Sequence, residues 1–126
     1  MRVSRLSLLL FLGVTACDDT EFPAHSVTVT GVGYDAVLEV ADANCIVCHS
    51  GSAAPLGLDL SEDFCAAVLD GRLVIEGDAA GSVLYQRITN ASAPMPQTGL
   101  MDQGNIDIVG EWIDEGADCA NDTTAR

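Results

Sequence analysis

The sequence predicts an all-α domain with long loops, and three observations indicate this class. Three segments carry apolar residues at the spacing that places them on one face of an α-helix. A fourth segment is bounded by residue types that start and stop helices. The stretches between these segments are rich in glycine, proline and small polar residues, and none alternates apolar and polar residues as a half-buried strand does.

The first predicted helix runs from Tyr34 to Cys45. Its apolar residues, which include Val37, Leu38 and Ala41, follow the i, i+3, i+4, i+7 spacing from Tyr34. This helix therefore leads directly into the first cysteine of the stretch CIVCH.

Two shorter helices are predicted next. Ser61 is expected to cap the first of them, with Glu62 and Asp63 in its first turn. Gly71 is expected to end it. Asp78 is expected to cap the other short helix, which continues through the stretch AAGSVLYQRI.

The last predicted helix lies within the stretch DQGNIDIVGEWIDEGA, with Asp102 as its cap and Gly116 as its end. Its apolar side is formed by Ile106, Val109 and Ile113, flanked by Trp112. A glycine inside a helix costs about 1 kcal/mol relative to alanine. We therefore expect Gly110 to allow close approach of another backbone, that of the first helix.

The N-terminal residues have the order of a bacterial export signal. Two arginines precede an apolar run too short to span a bilayer, and small residues follow up to Cys17. These small residues with Cys17 resemble a lipoprotein cleavage box. The predicted organisation is a signal peptide at 1–16, an acidic tether from lipidated Cys17 at 17–33, a folded domain at 34–119 and a flexible tail at 120–126. An ordinary secretory signal that leaves Cys17 as a stray thiol is the alternative.

This organisation predicts an exported protein, held by its lipid on a membrane and facing the periplasm or the cell exterior. The chain has a formal net charge of −14 and contains no lysine. Such an acidic surface repels phosphate backbones, so nucleic acid is not expected as a partner. It favours a basic protein partner, although a surface that is merely soluble explains the charge equally well.

Five cysteines in an exported chain require an explanation for the odd count. With Cys17 assigned to lipid, and Cys45 and Cys48 assigned to one site, Cys65 and Cys119 are left. In an oxidising compartment these two most simply form a disulfide. Closing the loop between them stabilises the fold by roughly 4 kcal/mol by the chain-entropy argument.

The stretch CIVCH carries two cysteines three residues apart and a histidine directly after the second. Two thiols at this spacing each add to one vinyl group of a haem, and the adjacent histidine is brought to the iron. We therefore predict one covalent haem c on Cys45 and Cys48, with His49 as an axial ligand. The alternatives are a zinc site, a thioredoxin-like redox pair and a plain disulfide.

The second axial ligand is expected to be Met95. Pro94 and Pro96 restrict the backbone on either side of it, so that its thioether lies in a stiff loop. Met101 is the other candidate, and His25, in the tether, is a remote third. Eight apolar residues are expected to line the haem or to belong to the core: Val37, Leu56, Leu58, Leu60, Leu84, Ile88, Leu100 and Trp112.

The chain resembles the class I cytochrome c domains of bacterial exported proteins over about residues 34–119. The resemblance lies in CIVCH, GLDL, VIEGDAAGSVLYQRI, MPQTG and EWIDEGA, which occur in the order seen in single-haem domains. It implies packing of the first helix against the last, histidine and methionine as iron ligands, and long loops around the haem. Glu76 stands where such domains often have a proline, and Cys65 and Cys119 are additions to the general pattern.

The function expected from these features is electron transfer rather than catalysis. A lipid-anchored monohaem cytochrome c would carry single electrons between exported or membrane-bound redox proteins. A haem-based ligand sensor or small peroxidase is the second hypothesis, and it requires a labile or absent sixth ligand. A haem-free binding lipoprotein, with Cys45 and Cys48 joined in a disulfide, is the third.

Overall fold

The structure is a computed structural model, and it describes residues 31–120. In this range the chain forms four α-helices, α1 (Tyr34–Asn44), α2 (Phe64–Asp70), α3 (Val83–Thr89) and α4 (Gln103–Asp114), with a single 3₁₀ turn at Pro55–Gly57. No strand occurs among these residues, so the predicted all-α class is confirmed for them. None of their helices has the length and apolar character needed to span a bilayer. The predictions for the signal peptide, Cys17 and His25 lie outside the described residues.

The core forms where α1 packs against α4. The ring of Tyr34, at the start of α1, stacks on Trp112 with their centroids 6.0 Å apart. Phe64, the first residue of α2, adds a tilted contact at 6.4 Å from the same indole. Trp112 is only 1% exposed, and its indole N–H donates to the Asp118 carbonyl at 2.9 Å. One aromatic side chain thus joins α1, α2 and the segment after α4.

The helix that contains Cys65 starts later than the sequence suggests. Ser61 was expected as its cap, but the cap is Asp63, whose carboxylate accepts from the Ala66 N–H at 2.9 Å. Ser61 instead donates from its backbone N–H and its hydroxyl to Asp59. These hydrogen bonds hold the pKa of Asp59 below its usual value. Serine forms such local turns as readily as helix caps, which explains the wrong prediction. The helix ends at Gly71, as expected.

The start of α3 is also displaced from its predicted cap. Asp78 accepts from the Gly81 N–H at 2.8 Å, so its carboxylate closes a turn before the helix rather than capping the helix itself. Ser82 occupies the cap position and is fully buried. Its hydroxyl accepts from the Ile75 N–H at 2.8 Å and donates to the Asp78 carbonyl at 2.7 Å. This buried hydroxyl ties the loop before α3 to the helix.

Gly110 does allow a close approach, but the predicted neighbour was wrong. A Cβ added at this position would lie 2.7 Å from Cε2 of Tyr85, so the ring of a residue on α3 occupies the space, not the backbone of α1. The spacing of apolar residues indicates which face of a helix is buried, but it does not identify the element packed against that face. The absence of a side chain at Gly110 thus sets the approach of α3 to α4.

The C-terminal end of α4 holds three other parts of the chain. The Ala117 N–H donates to the Trp112 carbonyl at 2.9 Å, and Gly116 takes a positive φ of 110°, which ends the helix as expected. The Ala79 N–H donates to the Asp114 carboxylate at 2.8 Å. The Val32 N–H donates to Glu115 at 2.9 Å. These bonds fix the loop before α3 and the chain entering α1 to the same helix end.

Cys65 and Cys119 form a disulfide between α2 and the segment after α4. Their Cα atoms are 6.1 Å apart and they are separated by 54 residues in the sequence. The bridge lies beside the aromatic contacts, because Phe64 precedes Cys65 and Asp118 precedes Cys119. It therefore fastens the C-terminal segment to the core.

We expect Gly110→Ala to destabilise the fold. The new methyl group would collide with the Tyr85 ring, and overpacking of this kind costs about 1–3 kcal/mol, more than the gain of about 1 kcal/mol in helix propensity. Gly104→Ala is the matched control, because nothing lies within 4 Å of a Cβ at that position of the same helix. Urea unfolding should show a loss of stability for Gly110→Ala and no loss for Gly104→Ala. Equal stability of the two variants would contradict this packing.

Candidate functional site

The CIVCH stretch forms one compact turn at the end of α1. Cys45 is the C-cap residue, and its N–H donates to the Ala41 carbonyl at 2.8 Å. The Cys45 carbonyl in turn accepts from the Cys48 N–H at 3.1 Å and from the His49 N–H at 2.9 Å. Bonds to the third and fourth residues onward are those of a helical turn, in which these positions share one face. The spacing of the motif thus matches the spacing of residues in one helical turn.

Both cysteines of this turn are free thiols in the structure. Cys45 is partly buried against the core, and burial raises the pKa of its thiol to about 11. Cys48 is exposed. Thiol–disulfide exchange requires a thiolate, so a raised pKa makes Cys45 a poor attacking group at neutral pH. This environment argues against the thioredoxin-like alternative.

The ring of His49 has one nitrogen engaged by the backbone. Its Nδ1 lies 3.2 Å from the Leu58 carbonyl, which only accepts hydrogen bonds, so the proton of this bond is on Nδ1. In the neutral imidazole Nε2 then carries the lone pair, the arrangement found in histidines that bind metals. A second bond, from the Leu60 N–H to the His49 carbonyl at 2.8 Å, closes the same loop. The orientation of the imidazole is therefore fixed by residues 58–60.

The loop between His49 and Leu58 presents an apolar side chain to solvent. Leu56 is fully exposed and has a positive φ of 57°, a conformation that costs an L-residue about 1–2 kcal/mol. Val47, inside the CIVCH turn, is 74% exposed. Leu100, at the end of the Met95 loop, is 48% exposed. Each of these three segments thus carries an exposed apolar side chain.

Met95 lies in a loop that is attached to the end of α3. Its N–H donates to the Arg87 carbonyl at 3.1 Å. That carbonyl belongs to the last turn of α3, where carbonyls lack partners within the helix. The Met95 side chain lines a cavity of about 380 Å³ together with Arg87, Ala93, Pro94 and Gln97. Met95 is therefore a partly buried residue beside this cavity.

Met101, the other candidate ligand, has a different environment. It is 8% exposed and belongs to the hydrophobic core. The other apolar residues expected near a haem divide in the structure. The residues buried in the core are Val37, Leu60, Ile88 and Trp112. Leu58 and Leu84 pack partly against the core. Leu56 and Leu100 are exposed.

Within residues 31–120, no three His, Cys, Asp or Glu side chains gather closely enough to hold a metal ion. Cys45, Cys48 and His49 therefore do not form a ready-made set of ligands for zinc, which takes four. A haem requires a different arrangement, because its iron receives one axial ligand from each face.

Sequence reasoning missed the backbone groups that hold the site. The Leu58 carbonyl orients His49, and the Arg87 carbonyl holds the Met95 loop. Every residue has a backbone carbonyl, so the sequence does not indicate which carbonyl will bind a site residue. The structure of each closed loop is needed to identify it. For Arg87 a signal did exist, because its position in the last turn of a helix implies an unpaired carbonyl.

Comparisons with known proteins place the chain in no family. No protein-family model, curated protein sequence or solved structure matches it. The chemistry of the site is therefore inferred from its residues and their geometry.

We expect the two thiols to react at different rates. In haem-free protein, Cys48 should be alkylated readily at neutral pH, whereas Cys45 should react many-fold more slowly because its pKa is about 11 and it is partly buried. Its rate should rise as the pH approaches that pKa. Mass spectrometry of Cys45→Ser and Cys48→Ser proteins measures each thiol separately, and unfolded protein, in which both should react alike, is the control. Equal rates in the folded state would contradict the described environments.

Proposed function

We propose that the protein carries single electrons by means of one haem c. The observation that carries the proposal is the turn at 45–49, in which the Cys45 carbonyl accepts from both Cys48 and His49. These bonds place Cys48 and His49 at the third and fourth positions after Cys45, the spacing of one helical turn. The free state of both thiols and the contact of His49 Nδ1 with the Leu58 carbonyl support it.

The residues present suit covalent attachment of a haem. Cys45 and Cys48 would each form a thioether by addition of S–H across a vinyl group, and His49 would offer Nε2 to the iron. The Leu58 carbonyl would keep the proton on Nδ1, so that the ring stays in one tautomer. When bound, the haem supplies a one-electron couple between ferric and ferrous iron.

Met95 is the residue we propose for the opposite axial position. Its partly buried side chain lines a cavity, whereas Met101 packs in the core. Its loop is held by the Arg87 carbonyl, which limits the freedom of the thioether. A methionine ligand stabilises ferrous iron, and with both axial positions taken no site is left for substrate. The protein is therefore proposed as a carrier rather than an enzyme.

The finer fold proposed is that of a class I cytochrome c domain. The contact between α1 and α4, and the position of CIVCH at the end of α1, support this proposal. Long loops follow His49 and surround Met95, as a haem-enclosing domain requires.

We further propose that the protein is exported and anchored by lipid on Cys17. The order of residues in the N-terminal sequence supports this, and a periplasmic or external location would supply the oxidant for the Cys65–Cys119 disulfide. The net charge of −14 favours redox partners with basic surfaces.

Covalent haem is the first expected result. The full chain, co-expressed with a system for c-type cytochrome maturation, should show a haem-stained band after denaturation and sharp low-spin peaks when reduced. The double variant Cys45→Ser, Cys48→Ser is the control and should lose the band. Wild-type protein that never acquires covalent haem would overturn the proposal and favour a haem-free binding lipoprotein.

The second expected result concerns Met95. Met95→Ala should open a coordination position, so that the ferrous protein binds carbon monoxide readily and its reduction potential falls. Met101→Leu keeps volume and apolar character in the core, and should leave both properties unchanged. Spectral titration with carbon monoxide and a potentiometric titration measure the two effects. Rapid binding of carbon monoxide by wild-type protein would instead indicate a ligand sensor or peroxidase.

A further inference from the structure

The cavity beside Met95 is lined by both polar and apolar residues. Its apolar lining comes from Ala93, Pro94 and Met95, and its polar side chains are Arg87 and Gln97. The guanidinium and the primary amide both donate hydrogen bonds. No carboxylate is among the lining residues. The cavity is therefore suited to an anionic group attached to an apolar body.

The charge of the chain makes this guanidinium unusual. The whole chain has nineteen carboxylates and only five basic residues, all of them arginine. Within residues 31–120 the arginines are Arg72 and Arg87. Both are exposed, but Arg72 follows α2, has a positive φ of 55° and does not line the cavity. Of these two cations, only Arg87 is positioned at the cavity that Met95 shares.

We propose that Arg87 and Gln97 bind a carboxylate, and that this carboxylate is a propionate of the haem; the inference rests on the proposed function. A guanidinium presents paired N–H groups that match the two oxygens of a carboxylate, and the Gln97 amide adds a further donor. The Arg87 backbone already holds Met95 through its carbonyl. One residue would thus hold the axial loop by its backbone and the haem by its side chain.

This pairing has a measurable effect on the redox equilibrium. Arg87 would offset the negative charge of the propionate near the iron. Without it, the unpaired carboxylate would favour the more positive ferric state. Arg87 and Gln97 are both exposed, so solvent screens the pair, and the change should lower the equilibrium constant for reduction by about three- to tenfold.

The test compares two variants with the same change of charge. The reduction potentials of haem-loaded Arg87→Gln and Arg72→Gln are measured against wild type in a buffer without carboxylates. Converted from these potentials, the equilibrium constant for reduction should be three- to tenfold lower for Arg87→Gln and less than twofold lower for Arg72→Gln. Arg87→Lys should recover part of the loss seen for Arg87→Gln. Gln97→Leu, at an exposed position, should lower the potential in the same direction by less. If Arg87→Gln does not fold, Gln97→Leu and Arg87→Lys decide the question.

Equal shifts for Arg87→Gln and Arg72→Gln, with covalent haem present in both, would overturn this assignment and leave the proposed function intact. A difference that appears only after acetate is added would show that the cavity takes a free carboxylate rather than the propionate, and would also overturn it. Wild-type protein without covalent haem would remove the proposed function, and the propionate assignment with it.

Discussion

The burial of Trp112 is the interaction on which the rest of the structure depends. The chain is only 5% aromatic, so this indole supplies a large share of the apolar surface available to its core. Its ring contacts Tyr34 at the start of α1 and Phe64 at the start of α2, while its N–H binds the Asp118 carbonyl. Because α1 is fixed at this end, the position of the CIVCH turn at its other end is fixed as well. The proposed haem attachment thus depends on a contact about sixteen Å away along the helix axis, at 1.5 Å per residue.

The Met95 loop of the candidate site is positioned by α4 as well, but through contacts with α3. Tyr85 of α3 packs into the space left by Gly110 of α4, and the last turn of α3 offers the Arg87 carbonyl to Met95. The two proposed axial ligands therefore lie on separate arms, α1 and α3, that meet on α4. Neither arm contains a residue that must both pack in the core and bind the iron, since Met101 takes the packing role near the Met95 loop.

The parts of the fold that could be predicted from sequence are those with long apolar periodicity. The bounds of α1 and α4 agree with the predictions because each helix is long enough for its buried stripe and its end residues to indicate the same limits. The starts of α2 and α3 were wrong because Ser61 and Asp78 close turns instead, and short polar side chains serve turns and caps alike. For the site, residue types indicated Cys45, Cys48 and His49, but the carbonyl that orients His49 comes from a loop whose closure no residue pattern encodes. The neighbour of Gly110 could not be predicted either, since the apolar face of one helix does not indicate which element packs against it.

The Cys65–Cys119 disulfide has a consequence for how the protein is made. Four cysteines in the domain allow three ways of forming two disulfides. Cys45 and Cys48 are near neighbours at every stage of synthesis, whereas Cys65 and Cys119 meet only after α2 and the end of α4 have come together across 54 residues. Oxidation of the unfolded chain therefore favours the local pair, and oxidation of the folded chain favours the distant one. Attachment of the proposed haem would therefore require a compartment that both oxidises and reduces thiols, so that an early Cys45–Cys48 bond is reopened first.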